Sequence, residues 1–359
     1  MKNFSSLNAQ ILRRRPLRFA NSLRRLISKK MQLLLLYTLQ HFAVDGICGA
    51  TLASCVVNEL HLESIIYCFG IYNLIAFGSQ FLFGYLLDKR TIFLPYAPIF
   101  SLMLLGLGTV SALGVLSQVI LLGLGNSIFH VSVGSQVLRR WENYKELGIF
   151  VSSGAIGLAL GLNLFVDEKI FLLIYVSITA IIFIRDKKVS ALESNENSPQ
   201  KIFNLPMSVG FVCIILLLGC VVLRSFGGSN TSTEYVMLFP CVFAVGKILG
   251  GICCDKLGCK NTIGVIFIIG FLSLQWNGTL PAVILTLAFN MTMPLTLRLV
   301  HWCNPAYPAM MFGLAAGCLL PGAFFKENFT IAIQAMVVLQ FLILFAAWKI
   351  FNKRTAEVL

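Results

Sequence analysis

His41 and Asp45 stand four residues apart in an otherwise apolar run, and Asn126 and His130 repeat that spacing in another. Residues at i and i+4 share one face of a helix, so each pair presents two polar groups to one neighbour. An imidazole gains and loses a proton near neutral pH. Arg224, in a third apolar run, supplies a counter-charge. These residue types point to reversible proton binding in an apolar environment, where an ionisable group is costly and is a functional candidate by default. Plainer roles fit as well. Asp45 and Arg224 could form a fixed bridge or gate, Arg224 could reach outward along its aliphatic stem, and the histidines could bond helices together. No nucleophile–base motif, GxxxxGK[ST] loop or HExxH is present, so an enzyme or ATP-driven pump is not expected. The 11 cysteines include no CxxC pair, and neither a metal site nor a cofactor is expected. The cysteines read as small apolar packing residues.

The elements that must hold these groups follow from composition. Of 359 residues, 57% are hydrophobic and 12% charged, with a mean hydropathy of +0.84. A soluble domain carries about 25% charged residues. This chain cannot clothe a water-facing surface, which excludes a soluble enzyme, a disordered protein and a secreted disulfide scaffold. Apolar runs recur at 32–57, 64–87, 92–113, 117–138, 146–166, 170–184, 206–226, 233–254, 261–276, 279–299, 306–325 and 328–350. A helix of about 20 residues crosses a hydrocarbon core of about 30 Å. The expected fold class is therefore an all-α polytopic membrane protein of twelve spans. Counting from the inner surface at about 1.5 Å per residue, Asp45 lies roughly 20 Å deep and Arg224 roughly 27 Å, depths that a long Arg side chain bridges.

Charge distribution sets the orientation. The net charge is +13, which in a soluble protein would suggest nucleic acid. Here Lys and Arg gather in a basic N-terminal arm and in alternate loops. Only Lys169 and Lys326 fall in outer loops, and only Arg224 and Lys247 lie well inside spans, Arg298 and Lys349 standing at the inner ends of theirs. Cytoplasmic segments carry the basic excess, so both termini are expected inside. His41 and Asp45 interrupt the first apolar run and eleven spans follow it, which argues against a cleaved secretory signal. The expected organisation is an arm at 1–31, a six-helix bundle at 32–184, a polar cytoplasmic linker at 185–205, a second six-helix bundle at 206–351 and a tail at 352–359.

The halves share a mark. Gly84 and Asp88 are followed by Lys89 and Arg90 after the second span; Gly251 and Asp255 are followed by Lys256 and Lys260 after the eighth. Gly lets helices approach closely, and each Asp is expected to accept bonds from the open N-terminus of the next helix. Repetition at equivalent places in two halves is the signature of a duplicated transporter. These loops resemble the G-x-x-x-D-[RK]-x-G-[RK]-[RK] signature of the major facilitator superfamily. The first copy lacks the later Gly, with Thr91 and Ile92 in its place. Gln40-His41 through Asp45, the Gly123 to His130 segment, and the glycines of the fifth and eleventh spans are similar to the fosmidomycin-resistance branch. Val44 and Val131 depart from that branch, which has Asn and Pro there.

The resemblance implies two pseudo-symmetric six-helix bundles around a central cavity, with the first and seventh spans facing across it. It implies a proton-coupled secondary transporter, an antiporter exporting a small organic solute or drug across the cell membrane. Asp45, His41, His130, Arg224 and Asn126 would line the coupling site. Partners would be the small-molecule substrate, protons and lipid, with no nucleic acid, and the chain would be a monomer in the inner (plasma) membrane. Proton-coupled uptake uses the same fold, and a degenerate facilitator serving as a membrane sensor or scaffold is the other alternative.

Overall fold

The computed structural model describes the backbone of residues 3–58, 62–193, 206–226, 236–276, 278–325 and 333–358, and side chains for most of these from Lys29 onward. The basic side chains before Lys29, residues 194–205 of the expected linker and the side chains of the tail beyond Asn352 lie outside the described residues. Every described element is helical, and no strand occurs among them.

Among the described residues there are fourteen α-helices. They are α1 (Asn3–Asn58), α2 (Leu62–Gly78), α3 (Gln80–Lys89), α4 (Ala97–Gly108), α5 (Val115–Arg140), α6 (Tyr144–Leu162) and α7 (Glu168–Glu193), then α8 (Met207–Phe226), α9 (Leu238–Leu257), α10 (Cys259–Ser273), α11 (Thr279–Cys303), α12 (Pro308–Gly317), α13 (Leu320–Phe325) and α14 (Ile333–Val358). Among the described residues, eight stretches are long and apolar enough to cross a membrane, and Ala97–Gly108, Cys259–Ser273 and Pro308–Phe324 are shorter apolar helices. The chain is a multi-pass membrane protein. Several boundaries differ from expectation. Helix α1 runs unbroken from Asn3 through the arm into the first span, and α7 continues to Glu193 beyond the expected end of its span.

Local chemistry explains the interruptions. The second span bends at Ser79, whose hydroxyl donates to the Ile75 carbonyl at 2.6 Å and so competes with the helix ladder. Pro98 sits in the first turn of α4, where its missing N–H costs nothing. Gly114, at φ 77°, supplies the left-handed turn between α4 and α5. The eleventh segment divides into α12 and α13 just before Pro321, whereas α11 passes through Pro294 as one helix.

Packing between helices depends on small residues. A Cβ at Gly157 would strike the Phe42 carbonyl, and one at Gly161 the Gly46 carbonyl. The glycines of α6 thus let it lie directly against α1. One core joins α1, α5, α6 and α7 through Leu33, Ile47, Phe129, Phe150, Phe171 and Tyr175; a second joins α8, α10, α11 and α14 through Leu217, Ile263, Leu299 and Leu344. Helix pairs α6–α9 and α3–α12 pack across from one group to the other.

Candidate functional site

Helices α1 and α5 bring the two spaced polar pairs together. Nε2 of His41 lies 2.9 Å from Nε2 of His130. Asp45 places Oδ2 3.3 Å from the first and Oδ1 3.6 Å from the second. Asn126 donates its Nδ2 to Asp45 Oδ1 at 3.1 Å. The Asp45 side chain is 17% exposed and the His41 side chain 6%.

The hydrogen bonds fix the tautomers. His41 Nδ1 lies 2.9 Å from the Phe150 carbonyl, and His130 Nδ1 lies 2.9 Å from the Asn126 carbonyl. A carbonyl oxygen only accepts, so both Nδ1 atoms carry hydrogen. If both rings were neutral, two Nε2 lone pairs would face each other beside a carboxylate with no hydrogen between them. That arrangement is repulsive until a positive charge enters it, and a proton on either Nε2 makes the short contact a hydrogen bond.

A cavity of about 290 Å³ opens on this cluster. His41, Asp45, Asn126 and His130 line it, with Arg224 of α8 and Lys247 of α9. Its volume is near the lower end of the usual range for small-molecule sites, about 300–1,000 Å³. All five expected coupling residues therefore reach one space, but not as the sequence suggested. Arg224 donates to Thr292 Oγ1 at 3.3 Å and to Thr296 Oγ1 at 3.2 Å, and makes no ion pair with Asp45. The carboxylate has a histidine partner on its own helix and histidine and asparagine partners on α5, and the guanidinium has two hydroxyls on α11. Lys247 donates to the Val151 carbonyl at 3.0 Å, joining α9 to α6.

In the sequence Gly154 stands only as one of the glycines of the fifth span, and Arg298 only as a basic residue at the inner end of the tenth. A Cβ at Gly154 would collide with Asp45 Oδ2 and His41 Nε2, so this position must lack a side chain for the cluster to exist. Its signal was the glycine run of α6, which reads equally as helix packing. Arg298 is 1% exposed. It donates to the carbonyls of Leu138, Trp141 and Asn143 at 3.0, 2.5 and 3.2 Å, where the last turn of α5 leaves acceptors open. Nothing in the spacing of Arg298 foretold that role.

The repeated loop motif acts between distant helices. Asp88 accepts from the Ala309 and Met310 N–H groups at 3.2 and 2.8 Å, and from Arg139 Nη2 at 2.9 Å. Asp255 accepts from the Tyr144 and Lys145 N–H groups, both at 2.9 Å. Each Asp thus caps a helix far away in sequence rather than the next helix. The reason lies in the preceding glycine. A Cβ at Gly84 would strike the Ala309 carbonyl, and one at Gly251 the Tyr144 carbonyl, so each glycine admits the helix that its Asp caps. Lys89 lies 5.6 and 5.4 Å from the ring centroids of Tyr85 and Tyr307, a cation–π contact that reinforces the α3–α12 pair. Arg90, Lys256 and Lys260 are exposed.

No protein-family model matches the sequence, and neither does any of the curated proteins compared with it. Solved structures do match. The chain is similar to the E. coli fucose:proton symporter FucP, with TM-score 0.57 and 10% identity over 91% of this chain and 99% of that one. A major facilitator superfamily transporter structure of FucP in the outward conformation matches with TM-score 0.56 and 11% identity over 90% and 97% of the two chains. A bacterial homologue of the iron transporter ferroportin, in its outward-facing state, matches with TM-score 0.53 and 15% identity over 90% and 98%. At such identities the likeness speaks for architecture, and the chain has the fold of the major facilitator transporters.

Proposed function

We propose that the chain is a secondary transporter that exports a small organic solute in exchange for protons, by alternating access between two six-helix halves. The observation that carries this reading is the cluster of three acceptors, His41, His130 and Asp45, on a cavity that Arg224 and Lys247 also line. A proton held in the cluster neutralises the carboxylate, and its release restores an anion facing two cations. That changes the electrostatics of the cavity between two loading states, which is what coupling requires. The capped pairs α3–α12 and α9–α6 would open and close together as the halves rock. The fold shared with a fucose:proton symporter supports a transporter, and the resemblance of the first and fourth spans to the fosmidomycin-resistance branch supports export.

In this reading the protein acts as a monomer in the inner membrane, with both termini and the 185–205 segment in the cytoplasm. The test begins with a thermal-shift screen of small organic compounds on purified protein, since a ligand stabilises the state that binds it. The best ligand is then followed in vesicles under an imposed pH gradient. Wild-type protein should accumulate it with proton movement, and Asp45→Asn should transport without coupling or not at all. Wild-type coupling in Asp45→Asn removes the carboxylate from the mechanism.

A further inference from the structure

Sequence spacing offered no metal-ligand motif, yet His41, Asp45 and His130 bring three ligand atoms within 4.8 Å of one another. In a tetrahedral site with metal–ligand bonds of about 2.0–2.2 Å, neighbouring donor atoms stand about 3.3–3.6 Å apart. The separations here are 2.9 Å between the imidazole nitrogens, and 3.3 and 3.6 Å from these to the carboxylate oxygens. Small side-chain rotations close the difference.

The surroundings are also those of a ligand set. Both imidazoles donate Nδ1–H to a backbone carbonyl, which leaves Nε2 as the donor atom on each. Such outer bonds orient histidine ligands and raise their basicity. Asn126 holds Asp45 in the same way, through an amide bond to Oδ1. The Gly154 backbone, lacking a Cβ, leaves room where the ligand atoms meet.

We propose that His41, His130 and Asp45 form an intramembrane binding site for a divalent first-row transition cation of the Zn²⁺ type, with its fourth coordination position open to the cavity. Two imidazoles and a carboxylate suit such borderline cations rather than Ca²⁺ or Mg²⁺. Arg224 and Lys247 on the same cavity raise the free energy of a bare dication, so an anion is the favoured fourth ligand. Cys48, which Asn126 also touches, and Tyr72 are the other titratable groups beside the cluster. The proposal goes beyond transport. It uses the side chains of the proposed proton site, but occupancy at equilibrium needs no flux.

The test uses the full chain in nanodiscs, stripped with a chelator and titrated with Zn²⁺ alone at neutral pH. We expect about one Zn²⁺ per chain, bound by nitrogen and oxygen without sulfur in X-ray absorption, and a rise in thermal midpoint. Asp45→Asn and His130→Gln should each weaken binding by about 10-fold or more, the scale on which even indirect ligand partners act. His41→Gln serves if either variant fails to fold. The sulfur criterion matters because the 11 cysteines are an alternative donor pool. No saturable binding to folded wild type, a sulfur-ligated ion, or unchanged affinity in the folded variants would each overturn the site. Proton-coupled flux in a chain that binds no Zn²⁺ sinks this inference and leaves the transport reading standing; Zn²⁺ binding without flux does the reverse.

Discussion

Asp88 and Asp255 do the same work in two different helix pairs, each accepting two backbone N–H bonds from the first turn of a helix in the other half of the sequence. An anion at a helix N-terminus satisfies open donors and meets the positive end of the helix dipole. Losing such a cap costs about 0.5–2 kcal/mol. Asp88→Ala should therefore speed hydrogen exchange at the Met310 amide, and Asp255→Ala at the Lys145 amide, each remote in sequence from its substitution. Unchanged exchange at those amides would show that the caps do not hold the helices.

Gly154 has a different kind of constraint, because what its Cβ would meet is the proposed coupling cluster of Asp45 and His41. Gly154→Ala should leave the chain folded, since a shift of Asp45 and His41 toward the cavity relieves the clash. Transport should fall sharply while the thermal midpoint moves by only a few degrees. Wild-type transport in Gly154→Ala would mean that the cluster geometry is not required.

Arg224 separates charge from packing. Replacing a buried ion by an apolar residue of similar size is often neutral for stability, whereas stripping its partners is not. Hydrogen bonds to charged groups are worth about 1.5–3 kcal/mol. The double substitution Thr292→Val with Thr296→Val should lower the thermal midpoint more than Arg224→Met does. Arg224→Met should instead weaken binding of anionic compounds. The reverse order of stabilities would contradict the hydroxyl partners seen here.

Arg298 bonds three carbonyls through two guanidinium nitrogens. A lysine carries one compact ammonium and cannot reproduce that fork. Arg298→Lys is expected to destabilise the protein and to loosen the end of α5, read as a lower thermal midpoint and faster exchange near Trp141. A midpoint equal to wild type would assign the stability to packing alone.

Topology gives an independent check. From the distribution of Lys and Arg, residue 205 and the C-terminus are expected on the cytoplasmic side. Reporter fusions at both places should be active only as cytoplasmic reporters, and an exported reporter after Leu205 would invert the second half.

Membrane residence, the order of the apolar segments and the repeated Gly-x-x-x-Asp loops are legible in the sequence, because each is a local property of composition or spacing. So is the sharing of one helix face by His41 with Asp45 and by Asn126 with His130. What the sequence did not contain is which helices become neighbours. In lipid the hydrophobic effect does not choose helix partners, and small residues and polar bonds do so through shape. Charge and depth match Asp45 with Arg224, but α5 brings Asn126 into hydrogen-bonding distance of the carboxylate and His130 to 3.6 Å, and α11 offers Arg224 two hydroxyls. Along the chain the open N-terminus nearest to Asp88 and to Asp255 is that of the next helix; in space Gly84 and Gly251 admit another. Local chemistry thus settled what each segment is, and only the tertiary fold decided which acceptor meets which donor, since that depends on distances between helices that no spacing along one chain records.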